Sequence, residues 1–164
     1  MIVIVCGLPG TGKTFIAKTL SKRIDAIVLS TDKIRKELVE KPTYSLWERS
    51  LIYDVLFLLS KYLKTAGINC ILDGTFNQKR SRDEVIKKLN LKSTDLFIIE
   101  CICPEDIIIS RLISRRNDFS DANISIYFKM KKIYEKVLEK HLTIDTSESI
   151  EKNIEKIMQF IISK

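Results

Sequence analysis

The apolar run Ile2 to Cys6 leads into a glycine-containing stretch and then into a segment where Ile16, Leu20 and Ile24 recur at helical spacing, which predicts strand, loop and helix. The alternation repeats down the chain. Ala26 to Leu29 reads as a short strand, and a helix capped by Ser30 or Thr31 would put Asp32 and Arg35 on one face. Ser45-x-x-Glu48 has the form of a capping box, and the helix it opens is expected to bury the stripe Trp47, Leu51, Val55, Leu58 and Tyr62, with Gly67 just past its end. Asn69 to Leu72 reads as a strand, Lys79 to Asn90 as a basic helix and Leu96 to Cys103 as a further strand. Pro104 suits a helix start. The polar stretch Asn117 to Asn123 reads as a hinge before a long helix carrying Ile126, Met130, Ile133 and Val137. Leu142 to Asp145 is the last strand, and Ile150, Ile154, Ile157 and Ile161 mark a closing helix. Strands alternating with helices predict an α/β fold with a parallel sheet covered on both faces, in a single domain over 1–164.

The first loop carries the chemistry. Gly7-Leu-Pro-Gly-Thr-Gly-Lys13-Thr14 has the form G-x-x-x-x-G-K-[ST], the phosphate-binding loop, between a strand and a helix as that motif requires. Glycines let the backbone approach an anion closely, so that N–H groups and the positive end of the helix meet phosphate oxygens. Gly7, Gly10, Thr11, Gly12, Lys13 and Thr14 are therefore candidate nucleotide contacts, with Lys13 set for the β- and γ-phosphates and the Thr14 hydroxyl for Mg²⁺. Asp73 ends an apolar strand beside this loop, a position suited to the metal or to the acceptor. Asp32 and Arg35 follow a strand at the sheet edge where ligands bind. Arg111 and Arg115, four apart, form a cationic edge.

Composition narrows the picture. With 164 residues, 45% hydrophobic and 30% charged, the chain can fill one sizeable core. The net charge of +7 favours anionic partners, which nucleotides satisfy as well as nucleic acid does. Cys6, Cys70, Cys101 and Cys103 lie in or just after expected strands and read as small buried hydrophobes. His141, the single histidine, can build neither a metal site nor a nucleophile–base pair. No apolar run reaches the roughly 18 residues of a membrane helix, and no signal peptide is expected, so the reading is cytoplasmic.

Taken together, Gly7 to Thr14, Asp32 with Arg35, Asp73-Gly-Thr-Phe-Asn77, and Arg111 with Arg115 before a helix containing Tyr127 resemble the P-loop kinase family, in particular the branch that includes the kinase domain of polynucleotide kinase. The resemblance implies a five-stranded parallel core, an arginine-bearing lid over about 104–123, and ATP with Mg²⁺. It also implies roles: Lys13 and Arg115 on the transferring phosphoryl group, Asp32 as general base, and Arg35 on the acceptor. The expected reaction moves the γ-phosphoryl group of ATP to a hydroxyl, with the 5′-hydroxyl of an RNA or DNA end as the leading acceptor. A small-metabolite or antibiotic hydroxyl is the alternative. Two readings of other classes are an ATPase or switch without an acceptor, and a nucleic-acid-binding module that merely keeps the loop. One departure stands out: Phe119 to Asn123 holds Asp121 and no basic residue, where relatives often carry more.

Overall fold

The computed structural model describes residues 1–92, 95–114 and 123–163. In chain order these form β1 (Ile2–Cys6), α1 (Lys13–Ile24), β2 (Ala26–Ser30), α2 (Thr31–Leu38), α3 (Leu46–Thr65), β3 (Asn69–Asp73), α4 (Lys79–Leu89), β4 (Leu96–Ile102), α5 (Glu105–Ser114), α6 (Ile124–Lys132), β5 (Leu142–Asp145) and α7 (Ile150–Ile162). The strands make one parallel sheet in the order β2-β3-β1-β4-β5. Every residue of β1 is buried, because the central strand of a parallel sheet is covered on both faces. Ile2, Ile4 and Cys6 point into a core shared with Ile52, Leu56 and Val85, whereas Val3 and Val5 point into another shared with Ile16, Leu20 and Ile157. The parallel register, with Val5 and Ser30 both opposite Asp73, brings the C-terminal ends of β1, β2 and β3 together at one edge. No helix of the described residues is long and apolar enough to cross a membrane.

Most elements match the sequence pattern, and the exceptions share a cause. On α3 the expected stripe is displaced: Trp47, Leu58 and Tyr62 are exposed, and the helix buries Ile52, Leu56, Phe57 and Ser60 instead. A helix this apolar offers more than one plausible stripe, and the neighbours α2, β3 and α4 select which one faces inward. The expected long helix through Val137 stops at Lys132. Ile133 is half exposed, and Val137 reaches the core from an irregular strap instead. That strap is held by the fully buried Arg82, which donates to Glu139 Oε1 (3.1 Å), Phe76 O (2.9 Å) and Lys136 O (3.3 Å). The basic helix α4 thus turns one of its cations inward, while Lys79 and Arg80 pair with Asp83 and Glu84 at its surface. Of the expected lid, Arg115 and residues 116–122 lie outside the described residues.

Cys6, Cys70 and Cys101 are buried as expected, whereas Cys103 is only partly so. Burial pushes the Cys6 thiol up to about 12 and the Cys70 thiol to about 11, so neither is a nucleophile at neutral pH.

Candidate nucleotide and acceptor site

The loop between β1 and α1 depends on glycine at positions no other residue could take. Gly7 has φ +136°, and a Cβ there would sit 2.3 Å from the Cys101 carbonyl oxygen of β4. Gly7→Ala is therefore expected to cost about 3 kcal/mol or more of stability, measured by urea unfolding. Gly12, at φ 81°, is the N-cap of α1 and supplies no capping side chain. By contrast, α2, α3, α6 and α7 are capped by Ser30, Ser45, Asn123 and Ser149. Among the described residues the N–H groups of Gly10, Gly12 and Thr14 have no intramolecular acceptor. A helix start left uncapped in this way can hold an anion.

These residues open on a cavity of about 1330 Å³, lined by Gly10, Gly12, Lys13 and Thr14 on one side and by Asp32, Arg35 and Asp73 on another. Two of the candidate nucleotide contacts, Gly7 and Thr11, are engaged by internal hydrogen bonds. Gly7 and Thr11 do not line this cavity: the Gly7 N–H donates to Thr75 O (3.3 Å), and the Thr11 N–H (3.4 Å) and hydroxyl (2.8 Å) both donate to Leu8 O. Their work is to shape the loop. Lys13 Nζ donates to the same Leu8 carbonyl at 2.8 Å, and the residue lines the cavity.

Thr14 Oγ1 donates to Asp73 Oδ2 at 2.7 Å, joining the hydroxyl and carboxylate that the sequence offers as metal ligands. No group of three or more His, Cys, Asp or Glu side chains suited to a metal occurs among the described residues. The Thr14–Asp73 pair nevertheless fits Mg²⁺, which commonly takes one or two protein oxygens and completes its shell with water and nucleotide phosphates. Burial raises the Asp73 carboxyl above its ordinary value, opposed by the nearby Lys13 and the Thr14 hydrogen bond. A carboxyl raised on folding binds its proton more tightly in the folded state. Stability therefore falls as pH climbs from the ordinary carboxyl range through the folded pKa, and the penalty is complete above it. Asp73→Asn removes that penalty, so the variant should melt higher than the parent at pH 8, with the gap closing as pH falls into the ordinary carboxyl range. It should at the same time lose the extra thermal shift that Mg²⁺ adds to ATP.

At the cavity's other wall, Ser30 caps α2 and sets Asp32 and Arg35 on one face, Arg35 Nη1 lying 3.5 Å from Asp32 Oδ1. Asp32 is 39% exposed and faces the cavity. Arg35 is mostly buried: its Nε donates to Glu48 Oε1 at 2.8 Å. Glu48 also accepts from the Thr43 N–H (2.6 Å), the Thr43 hydroxyl (2.8 Å) and the Tyr44 N–H (3.1 Å). Burial pushes the Glu48 carboxyl up, but these hydrogen bonds outweigh it and hold it below its usual value. Only half of the expected capping box forms: Ser45 Oγ accepts from the Glu48 N–H (3.2 Å), while the Glu48 side chain turns to Arg35. Sequence reading missed this role, since nothing in the spacing of residues 35 and 48 marks them as partners.

Over the loop, Arg111 donates to Thr146 Oγ1 (2.9 Å) and Thr146 O (2.8 Å), and Thr146 Oγ1 in turn lies 2.8 Å from Thr11 O. The guanidinium is thereby held against Gly12 at the cavity wall. Thr146 was also missed. Its place after the last parallel strand, at the edge where ligands bind, was the available signal.

The family model described as an AAA domain (AAA_33) matches residues 2–137. The chain belongs to this family. An alignment 139 positions long, covering 76% of this chain and 28% of the relative, is 27% identical to an uncharacterised protein of Mycobacterium tuberculosis. The chain thus spans little more than a quarter of the length of the curated relatives it matches first. Among solved structures, a sugar kinase from Janibacter sp. superposes with TM-score 0.78 and 18% identity, covering 96% of this chain and 92% of that one. The APS kinase of Mycobacterium tuberculosis superposes with TM-score 0.75 and 18% identity, covering 99% and 97%. Both likenesses show the P-loop kinase fold, with the five-stranded parallel sheet expected from sequence.

Proposed function

We propose that the chain transfers the terminal phosphoryl group of ATP, bound with Mg²⁺, to an acceptor hydroxyl, with a polynucleotide 5′-hydroxyl as the leading acceptor. One observation carries this reading: Lys13 and Thr14 share a single cavity with the Asp32 carboxylate, a group that an ATP-hydrolysing switch would leave without a task. The acceptor oxygen attacks the γ-phosphorus, the bond from that phosphorus to the β,γ-bridging oxygen breaks, and ADP leaves. Asp32 accepts the hydroxyl proton. Phosphoryl transfer has a loose transition state with charge spread over the moving group, so positioned cations supply most of the acceleration. Lys13 and the amides of Gly10, Gly12 and Thr14 meet that charge, while Arg111 steadies the nucleotide side. Bound at Thr14 and Asp73, Mg²⁺ would supply further charge neutralisation. Arg115, outside the described residues, is assigned to the same phosphoryl group on the strength of the sequence resemblance alone.

A small-molecule hydroxyl is the second reading, favoured by the fold likeness to a sugar kinase. Radiolabelled ATP offered with 5′-hydroxyl oligonucleotides and with a panel of sugars separates them. Label on the oligonucleotide supports the first reading, label on a sugar the second, and hydrolysis indifferent to every acceptor removes both.

A further inference from the structure

We infer that the acceptor side is built for a nucleotide-like group: Tyr44 stacks the terminal base and Arg49 binds the phosphate that follows it. This rests on the kinase reading above and sharpens its acceptor. Sequence resemblance assigns the acceptor contact to Arg35, but Arg35 is held by Glu48 and Asp32 with its side chain only 8% exposed. Its guanidinium is covered on one face by the Tyr44 ring, whose centroid is 4.7 Å from Cζ. Arg35 therefore backs a platform, and what the platform presents is the aromatic ring.

The platform is specifically constructed. Tyr44 has φ 56°, a backbone conformation uncommon for any residue but glycine and rarer still for a bulky one. It is kept there by the buried Glu48, which takes the N–H groups of both Thr43 and Tyr44. Tyr44 is 39% exposed and lines the cavity that contains Asp32. A ring with a cation behind it gains electrostatic support for stacking.

Arg49 supplies the second element. It begins one helical turn after the Ser45 cap, its N–H donating to Ser45 O at 2.9 Å, and it lines the same cavity half buried. Among the described residues no carboxylate pairs with its guanidinium and its side chain makes no hydrogen bond. The other arginines of the cavity are engaged: Arg35 with Glu48, Arg80 with Glu84, and Arg111 with Thr146. Tyr53 on the next turn, packed edge-on against Phe76 at 5.5 Å, forms the adjoining wall. A stacking ring, an uncommitted guanidinium and a carboxylate base in one cavity match a nucleotide end, with its base, its phosphate and its free hydroxyl. A neutral sugar would leave the guanidinium unused.

The test compares 5′-hydroxyl oligonucleotides that carry either a normal or an abasic terminal residue, together with a nucleoside and its 3′-phosphate, as acceptors for the parent and for Tyr44→Phe, Tyr44→Leu, Arg49→Lys and Arg49→Gln. Tyr44→Leu should raise KM for the normal oligonucleotide roughly 5- to 100-fold and leave the abasic one unchanged. Tyr44→Phe should match the parent. Arg49→Gln should raise KM roughly tenfold or more for the 3′-phosphorylated nucleoside and little for the bare nucleoside, with Arg49→Lys between. KM for ATP should not move, and anisotropy binding of the oligonucleotide without ATP should show the same order. If the parent phosphorylates oligonucleotides and neither variant changes either ratio, this inference is wrong and the kinase reading survives. If the parent phosphorylates no oligonucleotide or nucleotide but does phosphorylate a sugar, the nucleotide acceptor and this inference fall together.

Discussion

Asp32→Asn should lower kcat for phosphoryl transfer by roughly 10²- to 10⁴-fold, the range that a positioned general base contributes, while ATP binds as before. The substitution is nearly isosteric and the side chain is partly exposed, so packing is not at stake. Arg35 stays in place because Glu48, rather than Asp32, holds it at 2.8 Å. What changes is the ability to accept the acceptor's proton. Single-turnover transfer with saturating nucleotide, set beside a calorimetric ATP titration, separates the two effects. Full transfer activity in the variant would mean that the base is elsewhere.

Lys13→Ala should reduce kcat/KM by at least about 10²- to 10³-fold, the loss typical when one preorganised donor to a developing negative charge is removed. Lys13 lines the cavity, with its ammonium on the Leu8 carbonyl of the same loop. Its removal also takes away a cation that lowers the Asp73 carboxyl, so the two residues should not behave additively. A double-mutant cycle of Lys13→Ala with Asp73→Asn, read in ATP affinity with and without Mg²⁺, should show a coupling energy of at least about 0.5 kcal/mol. Independent effects would disconnect the lysine from the proposed metal position.

The phosphate loop was legible because its glycine, lysine and hydroxyl positions fall within one short motif, and the flanking strand and helix follow from short-range periodicity, although the neighbour that excludes a Cβ at Gly7 is the distant Cys101 carbonyl. The strands were legible for a related reason, since β1 to β4 are apolar runs that a two-faced parallel sheet requires. The inward face of α3 was not. Trp47 and Tyr62 have the spacing of a buried stripe yet lie in solvent, because burial depends on where α2, β3 and α4 stand. The end of α6 was hidden similarly: the pattern Ile126, Met130, Ile133 and Val137 fits a helix, but the bonds of Arg82 to Lys136 and Glu139 hold the chain as a strap.

The candidate site divides along the same line. Sequence alone determined the anion-binding loop, its lysine and hydroxyl, and the acidic residues that end or follow the neighbouring strands, because those features are contained in short stretches of chain. Tertiary structure decided which of them meet. It turned Gly7 and Thr11 inward to shape the loop, tied Arg111 to Thr146, and joined Arg35 to Glu48 across 13 residues. An arginine's availability to a ligand depends on whether the fold has already given it a buried carboxylate, and that partner is chosen by packing in space rather than by position along the chain.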